Sequence, residues 1–330
     1  MIELAVEAGK PRSAASVLAD LQAGGRSMTG PVIFQTGFSP FDRAIGGGLR
    51  GGDLVLVGGG PGVGKTIISL QWARNLAASG TPCVFACYEH DHASLLARLL
   101  LSEVGSTADG VPRTEIRELV RSIAAGDRKL GESTSSGEVV RAAAGRLAAY
   151  ADNLWLVQAS SAHTGIPRLE EIVRQHPAGE AVLFVDYLQK VAWQGASDES
   201  RRVAKITEGL KELALRHGIP VVAVVAGDRV GLNARRLRMH HMRGSSALAY
   251  EADVVVMLND KFRAVSNVHT AYDPVRAETF KSEVIFTIEK NRDGPAPLEL
   301  EFRKDFGHYR FDPDGGFVSE RLVDDQFYAE

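Results

Sequence analysis

Residues 54–66 read LVLVGGGPGVGKT: a short apolar run, then eight residues that fit G-x-x-x-x-G-K-[ST], followed by helical periodicity over 65–79. Strand, glycine-rich turn and helix is the order in which a phosphate cradle works. The glycines let backbone N–H groups turn inward around the phosphates, and the helix N-terminus adds a partial positive charge. Gly59, Gly60, Pro61, Gly62, Val63 and Gly64 supply the turn. Lys65 is expected to reach the β- and γ-phosphates of ATP, and the Thr66 hydroxyl to ligate magnesium.

Outward from this turn, short β-branched runs alternate with helical periodicity. Strands are expected at CVFACYE (83–89), LWLVQ, AVLFVD, IPVVAVVA and DVVVML. Helices are expected over 93–104, near 114–125 and 136–151, from Pro167, and over 201–217. In the last of these, Val203, Ile206, Leu210 and Leu213 make one apolar face and Gly218 supplies the stop. The alternation predicts an α/β fold, a mostly parallel twisted sheet with helices on both faces. After residue 280, SEVIFTIEK and LELEFRK flank the turn-rich NRDGPAP and read as a C-terminal β-hairpin.

In such a sheet the carboxylate that supports the metal comes from a neighbouring strand, and Asp186 closes the apolar run AVLFVD where it belongs. Glu89 ends the strand after the P-loop helix, at the same carboxyl edge of the sheet. It is either the group that polarises the attacking water or an ordinary surface acid.

The formal net charge of the 330 residues is -3 and the pI is near 6.3, so any nucleic-acid site must be local. No apolar run approaches the roughly 20 residues needed to cross a bilayer. MIELAVEAGKPR lacks the basic-then-apolar order of a signal peptide, which points to a cytoplasmic protein without a membrane partner. Cys83 and Cys87 have no His or Cys neighbours at zinc-binding spacing and are expected as buried strand residues. His90 and His92 are not spaced as a helical metal pair, and Asp91 suits a helix start. Within residues 1–30, Val17, Leu18 and Leu21 form an apolar stripe ahead of a Gly/Ser linker. This stripe is either a docking helix for a neighbouring subunit or a disordered tail. The main domain is expected over 31–318, with 319–330 as a tail.

TGFSPFDRAIGGGLRGGDLVLVGGGPGVGKT, LFVDYLQK, KITEGLKELALRHGIPVVAV, RGSSALAYEAD and IEKNRDGP occur in one order. Together they resemble the ATPase domain of DnaB-type replicative helicases over about residues 33–312. The resemblance implies a RecA-like P-loop NTPase fold. It further implies a hexameric ring that hydrolyses ATP while moving on single-stranded DNA. Carried over by motif, Lys65, Thr66 and Asp186 keep ATP and magnesium roles, and Glu89 falls on the catalytic glutamate. Lys290 and Arg292 fall on the basic pair that reaches the neighbouring subunit's ATP site. Three departures stand out. The family's helicases carry a further N-terminal domain that these residues do not include. Ala226 stands where a glutamine usually senses the γ-phosphate; Asp228 is a candidate substitute, although its charge would oppose the phosphate. RGSSA replaces the more helicase-like RESGS, while GGLRGGD and PGVGKT also resemble the KaiC and RadA branches.

The stretch from Arg229 to Arg243 is the most basic window, and Arg235, Arg236, Arg238 and Arg243 are its candidate contacts to nucleic-acid phosphates. No aromatic residue is interleaved, which favours backbone tracking over base stacking. The same residues also fit a solvated basic loop. Two functions therefore stand side by side. One is a DnaB-like motor ATPase on single-stranded DNA, favoured by this window and by DYLQ. The other is a KaiC-like regulatory ATPase whose nucleotide-dependent assembly controls a protein partner, favoured by Ala226 and the shorter N-terminus.

Overall fold

The computed structural model describes residues 11, 13–22, 31–105, 111–131, 133–177, 179–195, 198–265 and 274–323. A small antiparallel pair, β1 (Ile33–Phe34) and β2 (Leu49–Arg50), precedes the main sheet. The sheet is built on the aliphatic runs β3 (Leu54–Gly59), β4 (Cys83–Cys87), β5 (Leu154–Gln158), β6 (Val182–Asp186), β7 (Val221–Ala226) and β8 (Val254–Asp260). These six are parallel and lie in the order β8-β3-β7-β6-β4-β5. The hairpin β9 (Glu283–Asn291) and β10 (Leu298–Asp305) extends it antiparallel from β8, as its sequence predicts. Two short strands, β11 (Arg310–Phe311) and β12 (Gly316–Phe317), pair with β10.

Each central strand is buried on both faces, so its side chains feed two cores. Val55, Val57 and Phe85 join Trp72 of α3 (Lys65–Ala78) and Phe41 of α2 (Ser39–Ala44) on one side. Leu54, Leu56, Val84 and Ala86 meet Val203, Ile206, Leu210 and Leu213 of α8 (Glu199–His217) on the other. The expected apolar face of α8 is thus the one that packs, and Gly218 ends the helix at φ 65, where a side chain would be strained. Cys83 and Cys87 are buried strand residues with free thiols. A third core, around Leu101, Val104, Ile116, Leu119 and Val140, unites α4 (His92–Val104), α5 (Arg113–Ala124) and α6 (Ser135–Ala148). Asp91 starts α4 as its N-cap, accepting from the Ser94 N–H at 2.7 Å. The helix opened by Pro167 is α7 (Ile166–Val173).

Three boundaries differ from the sequence reading. The strand CVFACYE stops at Cys87, so Glu89 lies two residues beyond it. Residues 319–323 are not a tail: Glu320 pairs with Lys261 and Arg276, and Leu322 bridges to Val265. The basic window is partly ordered: a short helix, α9 (Arg229–Asn233), and a single turn at Met239–His241 flank the irregular residues 234–238. At the N-terminus, α1 (Ala14–Gln22) forms and Leu18 is exposed. The side chains of Val17 and Leu21, and residues 23–30, lie outside the described residues.

Candidate active site

The turn between β3 and α3 is shaped by what surrounds it. Gly64, which opens α3, has φ 103, and a Cβ there would sit 2.6 Å from the Phe311 ring. Gly59 has φ 153, and its Cβ would come within 2.7 Å of the Leu258 carbonyl oxygen. Glycine is therefore required at both positions by conformation and by space. Val63 turns into the core and anchors the loop. Lys65 Nζ donates to the carbonyls of Gly59 at 2.9 Å and Gly60 at 2.8 Å, which folds the ammonium over the turn. Burial lowers the Lys65 pKa, against the opposing pull of Asp186 and Glu89.

Asp186 ends β6 and is 2% exposed. Burial pushes its pKa up to about 6, while the Thr66 hydroxyl beside it acts in the opposite direction. The negative charge of Glu89 acts in the same direction as burial, while Lys65 and Arg98 act against it. A buried carboxylate with incompletely compensated charge beside a hydroxyl is a hard-oxygen pair that fits magnesium. No group of three or more His, Cys, Asp or Glu residues converges on a metal position among the described residues. Two protein ligands suit an ion that keeps waters and phosphate oxygens in its remaining positions. Glu89 is exposed on the rim of a cleft of about 440 Å³ that also contains Lys65, Thr66 and Asp186.

Among the lining residues that sequence did not single out are Arg98 and Tyr309. Arg98, on α4, places its guanidinium 5.5 Å over the Tyr309 ring, and both side chains line the cleft. The one available signal for Arg98 was its place beside Leu95 and Leu99 of the buried stripe of α4. Tyr309 carried none, since its approach depends on a left-handed φ of 50 after β10. Ala226 also lines the cleft. Asp228 does not take over there: its side chain caps α9, accepting from the Gly231 N–H at 2.7 Å.

The basic window requires a correction. Arg236 is 3% exposed, donates to Thr287 Oγ1 at 3.1 Å and pairs with Glu299, so it is a buried structural cation rather than a phosphate contact. Arg238 pairs with Glu289, and Arg243 pairs with Glu199. Arg235 donates to the carbonyls of Arg263 and Val265.

Lys290 and Arg292 sit on the far edge of the sheet from the P-loop. The Arg292 N–H bonds the Asp253 carbonyl and the Asp253 carboxylate accepts from the Leu54 N–H, which sets Arg292 level with the start of β3. Gly59 closes the same strand about 17 Å away at the rise of an extended chain. Both cations share an acceptor at the end of α10 (Ser245–Glu251). Lys290 Nζ donates to Ala249 O at 2.6 Å and Tyr250 O at 3.3 Å, and Arg292 donates to Tyr250 O at 2.6 Å.

A strand, a GxxxxGKT turn and a helix, with a buried acid at the end of a parallel strand two places away beside the turn's threonine, define a RecA-type P-loop NTPase domain. The chain belongs to the DnaB-like helicase C terminal domain family, whose model matches residues 34–311. It is 28% identical over 291 residues to "Replicative DNA helicase DnaB" of Treponema pallidum, covering 86% of this chain and 57% of that protein. It is 27% identical over 294 residues to "Replicative DNA helicase DnaC" of Bacillus subtilis, covering 85% and 58%. The chain thus spans little more than half the length of these relatives. Among solved structures, the ATPase domain of G40P superposes with a TM-score of 0.71 at 20% identity, covering 92% of this chain and 99% of that one. These likenesses do not favour the KaiC-like alternative.

Proposed function

We propose that this chain is an ATP-hydrolysing motor of the DnaB type that acts on single-stranded DNA as a ring, with six copies per ring. The placement of two sets of groups at opposite edges of one sheet carries the reading. The P-loop, Asp186 and Glu89 lie at the carboxyl edge, whereas Lys290 and Arg292 lie toward the amino edge, Arg292 level with the start of β3, whose far end at Gly59 is about 17 Å along the strand. A head-to-tail interface brings such edges together, and interfaces of that kind close into a ring when the rotation between copies permits. In this reading Gly59–Gly64 and Lys65 hold the phosphates of ATP, and Thr66 and Asp186 hold magnesium. Magnesium held by those two side chains would supply positive charge to offset that of the phosphates. Glu89, on the rim, orients the attacking water. Lys290 and Arg292 enter the neighbouring copy's cleft, where a guanidinium favours the charge of the transition state. Residues 31–323 make the motor domain.

Arg235, Arg238 and Arg243 are the remaining phosphate contacts of the basic window. Because Arg238 and Arg243 already pair with carboxylates, DNA must displace or share those partners. ATP turnover measured with and without a single-stranded oligonucleotide across a salt series tests the function. Stimulation that fades as salt rises is the expected result. Turnover indifferent to the oligonucleotide at every salt concentration would contradict it.

A further inference from the structure

Gln189 lies three residues after Asp186, on the single turn Leu188–Lys190 that leaves β6, and is 5% exposed. Its Oε1 accepts from the Ala226 N–H at 3.2 Å, and its Nε2 donates to the Arg243 carbonyl at 3.3 Å. The Arg243 N–H in turn donates to the Ala226 carbonyl at 3.1 Å, so side chain and backbone close one ring of hydrogen bonds. Each corner of that ring touches something functional. Ala226 lines the nucleotide cleft. Arg243 ends the basic window, and α10 begins two residues later, its last carbonyls holding Lys290 and Arg292.

An apolar side chain at 189 would leave the Ala226 N–H without its acceptor and the Arg243 carbonyl without one donor. Buried polar groups stripped of partners are costly, so the amide constrains how the end of β7 and the start of α10 sit together. Ala226 has no side chain long enough to reach the window itself. We propose that Gln189 is a positioning residue that couples the nucleotide cleft to the Arg243 window, so that nucleotide in the cleft changes the affinity for single-stranded DNA. This rests on the motor reading above. Altering one member of such a chain of contacts changes coupling by roughly two- to thirtyfold.

The test uses the 330-residue chain and two variants: Gln189→Met, which keeps the volume but makes no amide bonds, and Gln189→Glu, which keeps the acceptor for Ala226 N–H. Anisotropy of a labelled oligodeoxythymidine gives the affinity with and without a non-hydrolysable ATP analogue, and the ratio of the two is the coupling. Turnover without DNA and thermal unfolding are recorded alongside. In Gln189→Met the ratio is expected to fall by roughly tenfold, with DNA-free turnover, the KM for ATP and the unfolding temperature little changed. Gln189→Glu retains part of the coupling. An unchanged ratio in Gln189→Met overturns the proposal, as does a loss of DNA-free turnover as large as the loss of coupling. If Gln189→Met does not fold, an unchanged ratio in Gln189→Glu overturns it instead. An unaltered chain that does not bind the oligonucleotide refutes the motor reading itself, and this inference falls with it.

Discussion

At Lys65 the ammonium bonds backbone oxygens of its own turn, so removing it takes little from the core and much from phosphate binding. Lys65→Ala is expected to reduce turnover at least about a hundredfold while the thermal unfolding curve stays in place; undiminished turnover would disprove the site. If Asp186 holds magnesium, Asp186→Asn replaces a hard anionic ligand by a neutral amide and should raise the magnesium concentration needed for activity. A magnesium titration of turnover checks this. Arg236 behaves differently from its neighbours. Arg236→Ala strands Glu299 and Thr287, and we expect a loss of roughly 1–3 kcal/mol in urea unfolding without a change in the salt slope of DNA binding. Arg243→Ala, on an exposed pair, should lower that slope by about one instead. Sequence made Lys65, Thr66 and Asp186 legible because a motif and a strand end fix their places. It did not reveal Arg236, whose partner Glu299 is 63 positions away. Composition alone cannot distinguish a paired arginine from a solvated one.

Elements whose signals are local were readable in the chain. The 3.6-residue stripe of α8, its glycine stop and the NRDGPAP hairpin each rest on neighbours in sequence, and each appears where expected. The three-helix layer of α4, α5 and α6 was seen as helices but not as a layer, because packing between them joins residues far apart, Leu101 to Val140 among them. The end of the domain was misplaced for the same reason, since the partner of Glu320 is the buried Lys261. The N-terminal helix α1 remains the element with most to test. It is short enough to be marginal alone, and Leu18 is exposed. If α1 docks on a neighbouring copy, deleting residues 1–25 should shift sedimentation toward smaller species. Unchanged sedimentation would leave it a tail.

For the whole molecule, Lys65, Thr66 and Asp186 lie at one edge of the sheet and Lys290 and Arg292 at the other, which is where the two halves of a site shared between copies would have to stand. Sequence placed Lys290 and Arg292 at a hairpin, but only the register of β9 against β8 and β3 measures how far they stand from their own phosphates. Arg292→Ala should lower turnover by roughly 10³-fold or more, with ATP binding largely retained, because a trans arginine acts on charge that develops in the transition state. The central claim is that this action crosses between copies, and mixing tests it most directly. Arg292→Ala chains and Lys65→Ala chains, each inactive alone, are combined and turnover is measured. Some interfaces in the mixture unite an intact cradle with an intact arginine, and the account predicts that activity partly returns. A mixture as inactive as its two components would contradict it.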